Sequence, residues 1–427
     1  MKINVFWQRR DLRLTDNVGF SEALKSDLPV LPIFIFDKQI LDELPEQDAR
    51  LSFIHDTLSE MNAELGKNGA GIRGLYGNPK ECIEELIEEY EVNAIYTNRD
   101  YEPYALNRDK EMNELLSKKG IEFKTFKDQV IFEKSEVTKD DGKPYTVYTP
   151  FKNKWLSHFD ESTMIQDHKL NLENCLKGEF KFPTLKEMGF TKSDIKVQPI
   201  NLTQLDNYEE TRNFPATDGT SYLGPHFRFG TVSVRSIIRK LEKKDAVFLS
   251  ELIWREFFMQ ILFHFPHVVS NNFRAKYDGI KWRNNEEEFE KWCKGKTGYP
   301  MVDAGMRQLN KTGYMHNRVR MVTASFLVKH LLIDWKWGEA YFAEKLLDYD
   351  LASNNGNWQW AAGTGCDASP YFRVFNPESQ LVKFDKKMQY IQKWAPEYQE
   401  LIFPKPMIDH KFARERAIAT YKEGIES

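Results

Sequence analysis

The strongest constraint on the fold is a change of hydrophobic rhythm about a third of the way along the 427-residue chain. Lys2 to Trp7, Val30 to Phe36, Ala94 to Asn98 and Phe123 to Phe126 are short apolar or β-branched runs of strand length. Between them lie amphipathic stretches, Arg50 to Leu65 and Glu81 to Tyr90, the second opened by Asn78-Pro79, a cap followed by a first-turn proline. Strands alternating with helices predict a parallel sheet, because each crossover helix has to cover a sheet face on its way back. A doubly wound α/β domain is expected over residues 1–130. Residues 131–204 lose the rhythm and are rich in turn residues (KDDGKPY, GEFKFP, KVQPINL), which reads as a connector wrapped over a domain surface. From 205 to 427 the patterns are helical, among them Phe248 to Phe263, Val302 to Leu309 and Arg318 to Leu332. The expected fold class is α/β, a doubly wound parallel-sheet domain followed by an all-α domain.

Charge divides the chain in the same way. The whole carries 60 basic and 64 acidic residues. Residues 1–204 have a net charge of −8, residues 205–330 of +6 and the remainder of −2. A basic middle segment suits an anionic partner, although a solvated charged surface is the commoner meaning of such asymmetry. The four cysteines are widely spaced, with no CxxC pair and no zinc-site spacing, so neither disulfides nor a metal is expected. The opening MKINVFWQRRDLR has only a short apolar stretch and no apolar run is long enough to span a bilayer, so neither secretion nor membrane spanning is expected. A cytoplasmic location is expected, and separately a monomer. Eight of the ten tryptophans fall after residue 250, in the helical part.

Several clusters there bring polar and aromatic groups together. On a helix, Glu251, Trp254, Arg255 and Phe258 share a face, which is either an aromatic core stripe with an ion pair at its rim or the wall of a pocket for a flat ring. In MHNRVRM, Asn317, Arg320 and Met321 share a face so dense in donors that each needs a partner if buried. The segment LLDYDLASNNGNWQWAAGTG crowds two acids, two amides and two indoles, all of which need hydrogen-bond partners in a core, and this favours a ligand site. The stretch GTSYLG before a helix offers hydroxyl and backbone donors to an anion, though a plain capped turn has the same look. There is no GxGxxG fingerprint and no P-loop.

Taken in chain order, FWQRRDLRLTDN, TPFKNKW, GTSYLG, ELIWREFF, KTGYPMVDAGMRQL, GYMHNRVRM, LASNNGNWQWAAGTG and YFRVFNP resemble the photolyase/cryptochrome flavoprotein family over nearly the whole chain. The resemblance is nearest to the class I cyclobutane pyrimidine dimer photolyases. It implies an α/β antenna domain, a helical domain holding FAD that is active in its reduced anionic form, and a second antenna chromophore, folate or deazaflavin. The reaction implied is light-driven DNA repair: an electron passes from excited reduced FAD to a pyrimidine dimer flipped out of UV-damaged DNA, the cyclobutane ring splits, and the electron returns.

By the same resemblance, Tyr208 and the loop Thr220, Ser221, Tyr222, Leu223 and Gly224 hold the FAD phosphates. Arg320, Asp348, Tyr349, Asp350 and Asn354 surround the flavin and ribose. Glu251, Asn317, Met321 and Asn354 form the catalytic set. Arg212, Glu251, Trp254, Arg255, Asn317, Arg318, Trp360 and Gln380 meet the lesion or the DNA. Trp358, Trp335 and Trp282 form a photoreduction relay.

Two departures stand out. Gly224 and Tyr222 occupy loop positions where the family usually has a serine and a basic residue, and Ala105 stands where folate-binding relatives tend to carry an acid. The alternative reading is a cryptochrome-type light sensor without repair. A six-four photolyase is disfavoured, since those carry a second histidine where this chain has Asn317.

Overall fold

The computed structural model describes residues Met1–Glu426. Two compact units divide it. The first comprises Met1–Glu136, Trp155–Pro199 and Leu223–Glu242, and the second comprises Val137–Lys154, Ile200–Tyr222 and the chain from Lys243 on. The chain thus passes between the units several times, and the expected connector contributes to both.

The first unit is built on five parallel strands, β1 (Lys2–Gln8), β2 (Val30–Asp37), β3 (Arg73–Gly77), β4 (Glu91–Asn98) and β5 (Glu122–Phe126), in the order β3-β2-β1-β4-β5. The continuous apolar runs of β1 and β2 follow from burial on both faces. Phe6, Phe34 and Phe36 join one core, while Val5, Trp7, Ile33 and Ile35 join the other. Helices α1 (Val18–Leu24), α2 (Ala49–Gly66), α3 (Pro79–Glu89) and α4 (Pro103–Lys118) cover the sheet. Asn78 caps α3 by accepting from the Lys80 N–H at 2.9 Å, and Pro79 needs no partner at the first position.

Strand β3 has no counterpart among the runs legible in the sequence, because RGLYG offers a single leucine between glycines. Its pairing is decided by the sheet and by the connector. The Gly74 N–H donates to the Lys181 carbonyl at 2.9 Å, and a Cβ on Gly74 would meet Pro183 at 2.6 Å. Connector residues therefore cover the edge strand that would otherwise lie open.

The second unit is helical. Helix α5 (Ala246–His264) is followed by α6 (Glu286–Cys293), α7 (Pro300–Thr312), α8 (Asn317–Ser325), α9 (Trp335–Lys345), α10 (Leu351–Ala362) and α11 (Pro377–Phe384), and these last six share a core that includes Trp292, Phe326, Trp335 and Trp358. Close approach is set by small residues: a Cβ on Gly356 of α10 would lie 2.2 Å from the Phe258 ring of α5. A π-turn, Phe326–His330, extends α8 and re-aims the chain before α9.

Candidate active site

Helix α5 carries one wall. Glu251, Trp254 and Arg255 are half-buried and Phe258 is buried, so the face read from the spacing is present. Glu251 pairs with Arg212 at 2.7 Å, and the Arg212 guanidinium lies over the Tyr208 ring at 5.3 Å. Burial, with Glu251 adding to it, pushes the Tyr208 phenol up to about 12. Trp254 stacks on Tyr148 with ring centroids 3.6 Å apart and planes 8° apart, and it also meets Phe258 at 5.4 Å. The Tyr148 hydroxyl donates to the Ser250 carbonyl one turn before Trp254, at 2.7 Å. Tyr148 therefore sets the plane of the indole, a role no pattern in the sequence announces.

Helix α8 is entered through His316, whose Nδ1 accepts from the Arg318 N–H at 3.1 Å. That role needs a neutral imidazole. Burial, and then the charges of Arg320, Arg318 and Arg212, hold its pKa down to about 4. Asn317 is exposed, whereas Arg318, Arg320 and Met321 are half-buried. Arg320 grips Asp348 in a fork, with N···O distances of 3.1 and 2.9 Å, and its Nε donates to the Met315 carbonyl at 2.7 Å. Arg318 donates to Asn213 at 2.5 Å and lies over the Phe384 ring at 4.3 Å. Burial, followed by repulsion from Arg212 and Arg373, lowers its pKa, so three guanidiniums gather here. Arg373, exposed within the YFRVFNP block, was not singled out from sequence. Gln380 is half-buried on α11.

Helix α10 holds the third element. Asp350 caps it, one carboxylate oxygen accepting from the Ser353 N–H at 3.1 Å. Asp348 and Tyr349 precede it, half-buried. Asn354 is 9% exposed and donates from Nδ2 to the Glu339 side chain at 2.8 Å and to the Glu339 carbonyl at 3.1 Å. Two acceptors fix which end of the amide is which. Among the described residues the Asn354 Oδ1 then takes no hydrogen bond. Burial raises the pKa of Glu339, a second residue that sequence reading missed: it lies on α9, with no spacing that links it to Asn354. Trp360 is half-buried, whereas the adjacent Asn355 and Gln359 are buried and donate to the Val268 carbonyl, so only part of the dense polar segment is free for a ligand.

The loop residues divide. Thr220 accepts from the Tyr314 hydroxyl at 3.0 Å, and Tyr222 adopts a left-handed φ of 54° while its hydroxyl donates to Asp218 at 2.6 Å. The tyrosine standing where a basic residue is usual is thus tied to an acid. Ser221 is half-buried, and Leu223 and Gly224 open the helix Leu223–Phe229, which groups with the first unit.

Of the relay candidates, Trp358 is 2% exposed and Trp335 is 1% exposed, with its indole N–H on Asn272 at 2.9 Å. Trp282 is half-buried, edge-on to Tyr421 at 5.8 Å. The ring neighbours of Trp358 are Phe342 at 5.0 Å and Trp292 at 6.2 Å.

The first unit has a cavity of about 180 Å³ above β1 and β2. Trp7, Phe34, Phe36 and Phe229 give it apolar walls, and Arg10, Asp100, Glu102 and Arg228 form its charged rim. Arg10 pairs with Asp100 at 3.2 Å and with Glu102 at 2.9 Å, and Arg228 pairs with Glu102 at 2.6 Å. Burial alone would raise Asp100, but Arg10, Arg228, Arg9 and Arg108 outweigh it and hold the carboxyl below its usual range. Ala105 lines the cavity beside Tyr104. Among the described residues no group of three or more metal-ligating side chains occurs, and no helix is long and apolar enough to cross a membrane.

Residues 4–169 match the DNA photolyase family, and residues 248–402 match the FAD binding domain of DNA photolyase. A deoxyribodipyrimidine photo-lyase from Synechococcus is 34% identical, over 98% of this chain and 96% of its own. Among solved structures, a bacterial class III photolyase from Agrobacterium tumefaciens superposes with a TM-score of 0.89 at 34% identity, covering 100% of this chain and 98% of its own. An archaeal photolyase from Sulfolobus tokodaii with two FAD molecules gives a TM-score of 0.85 at 33% identity, covering 99% of this chain and 100% of its own. The chain belongs to the DNA photolyase family.

Proposed function

We propose that the chain is a deoxyribodipyrimidine photo-lyase, a light-driven enzyme that uses FAD to split cyclobutane pyrimidine dimers in damaged DNA. The observation that carries the reading is the Asn354 amide, whose donor end is fixed on Glu339 and whose acceptor end is left open in a nearly buried position. An open, oriented acceptor fits the ring N–H that a flavin gains on reduction. When bound, FAD supplies an electron on absorbing light and takes it back once the dimer has opened. The Arg320–Asp348 fork offers charge beside the ring, and Tyr208 with Thr220, Ser221 and backbone N–H groups of the loop would hold the phosphates. With Tyr222 bound to Asp218 and glycine at 224, backbone donors carry more of that contact than side chains do.

Glu251 and Trp254, oriented by Arg212 and Tyr148, would meet the flipped dimer, with Asn317, Met321 and Trp360 beside it. Arg212, Arg318 and Arg373 supply the positive field for the DNA backbone, Arg255 extends it, and the uncharged Gln380 offers a hydrogen bond. The cavity of the first unit is the proposed antenna site. Its aromatic walls suit a flat fused ring, and with Ala105 in place of an acid a deazaflavin or flavin ring fits better than a folate. The four cysteines are free and buried, which is consistent with a reducing cytoplasm, and the enzyme is proposed to act as a monomer.

The test is to reduce the FAD-loaded protein chemically and to mix it with an oligonucleotide bearing one thymine dimer, in light and in darkness. Light-dependent loss of the dimer is expected. Bound FAD with no repair in light would instead support the sensor reading, and failure to bind FAD would overturn both.

A further inference from the structure

Two of the rings that line the cavity above β1 and β2 are easily oxidised, Trp7 and Tyr104, whereas its other aromatic walls are phenylalanines. An excited flat chromophore beside an indole or a phenol takes an electron from it, and the excitation is lost as heat when the charges recombine. A light-collecting site therefore has to keep such rings from donating. Tyr104 is doubly prone to donate, because its hydroxyl is bonded to Asp37, a carboxylate placed to receive the proton as the electron leaves.

One cation serves both rings. Tyr104 and Arg108 stand at i and i+4 on α4, and the Arg108 guanidinium lies 5.6 Å from the Tyr104 ring centroid and 5.0 Å from that of Trp7. Arg9 adds a second guanidinium at 5.3 Å from Trp7. The counter-charge for this pair is incomplete. Asp109 is gripped by both terminal nitrogens of Arg9 and reaches Arg108 only at 3.5 Å. Among the described residues the buried Nε of Arg108 has no hydrogen-bond partner. Burial, and then repulsion from Arg9, lowers the Arg108 pKa, the mark of a cation held against a cost.

We infer that Arg108 is an electrostatic guard on this cavity, keeping Trp7 and Tyr104 from reducing an excited chromophore so that captured excitation survives to be passed on. The inference rests on the reading above that the cavity is the antenna site. The step it suppresses is a one-electron transfer. Trp7 or Tyr104 loses the electron, the excited ring gains it, and back-transfer restores both. Oxidised Trp7 is a cation. Oxidised Tyr104 passes its proton to Asp37 and removes a negative charge there. In either case the wall gains one positive charge beside Arg108. At about 5 Å that repulsion exceeds thermal energy about fivefold even at an effective dielectric constant of about 20, so the electron is held back.

The experiment saturates the FAD-loaded full-length protein with riboflavin as the probe of the cavity and times the fluorescence decay of the bound probe. The lifetime is expected to be at least about threefold shorter in Arg108→Met than in wild type. Arg108→Lys keeps the charge and should stay near wild type. Adding Trp7→Phe and Tyr104→Phe to Arg108→Met should restore the long lifetime, since the donors are then gone. An unchanged lifetime in Arg108→Met would overturn the guard. So would a shortening that persists without the two donor rings, which is what a purely structural role for Arg108 produces. Melting temperature and FAD content per chain show whether Arg108→Met folds. If it does not, Trp7→Phe with Tyr104→Phe in the otherwise wild-type chain decides: a working guard allows a lengthening of less than about twofold, and a larger one overturns the inference. Failure of wild type to bind either riboflavin or a deazaflavin in the cavity is a different result, which overturns the antenna reading and the guard with it.

Discussion

Replacing Gly338 with alanine sets two effects of opposite sign against each other. Gly338 lies inside α9, where alanine is favoured over glycine by about 1 kcal/mol on helix propensity alone. The added methyl, however, would fall 2.1 Å from the Trp358 ring edge and 2.5 Å from Leu327. Carbon contacts settle near 3.5–4.0 Å, so the ring has to retreat by roughly 1.5 Å. Trp358 is 2% exposed and Leu327 fully buried, which leaves nowhere to go without moving α10. Overpacking of this kind costs about 1–3 kcal/mol, and deep overlap with two buried groups belongs at the upper end. The net is a loss of about 2 kcal/mol, or roughly 4–8 °C in melting temperature for a unit of this size. Thermal melting followed by tryptophan fluorescence measures it, with Gly66→Ala as the control, since a Cβ there meets nothing within 4 Å. The displaced indole should also slow photoreduction. A Gly338→Ala protein that melts at or above wild type would refute the packing argument and leave propensity as the stronger effect.

Arg320→Ala should weaken FAD binding about ten- to thirtyfold, a figure discounted because both partners of the fork are partly exposed, at 24% and 17%. Arg320→Lys should recover little, because lysine lacks the fork, and a flavin fluorescence titration reports both. Tyr148→Ala should reduce affinity for dimer-bearing DNA about three- to tenfold by freeing the Trp254 plane, and Tyr148→Phe should not, as measured by gel shift in the dark. For acid stability the sign runs one way. His316 is held near 4 when folded against about 6.5 unfolded, so nothing is lost above pH 6.5, and protons favour the unfolded chain as pH falls below it. About 2 kcal/mol should disappear between pH 7 and 5, and His316→Asn, which keeps a capping acceptor, should flatten that slope in urea titrations.

Legibility differed with the range of the interaction. The strands β1 and β2 were readable because burial on both faces writes an unbroken apolar run into the chain, and α3 because its cap and proline are local. Strand β3 was not, because its place depends on the neighbouring strand and on the chain around Lys181 rather than on its own residues. The same holds in the site. The polar crowding of residues 346–365 marked a ligand region, yet Asn355 and Gln359 turned out to serve neighbouring elements. Which of those polar groups stay available is settled by partners far away in sequence.

The one-dimensional record determined the class of fold and the helical second half, since periodicity and capping act over a few residues, and its ordered motifs carried the resemblance that implies a flavin. Only tertiary structure decided orientation. Glu339 turns the Asn354 amide, Tyr148 sets the Trp254 plane, and Trp292 packs edge-on to Trp358. Each of these joins side chains on separate elements, and directional hydrogen bonds and ring contacts exist only once those elements have packed.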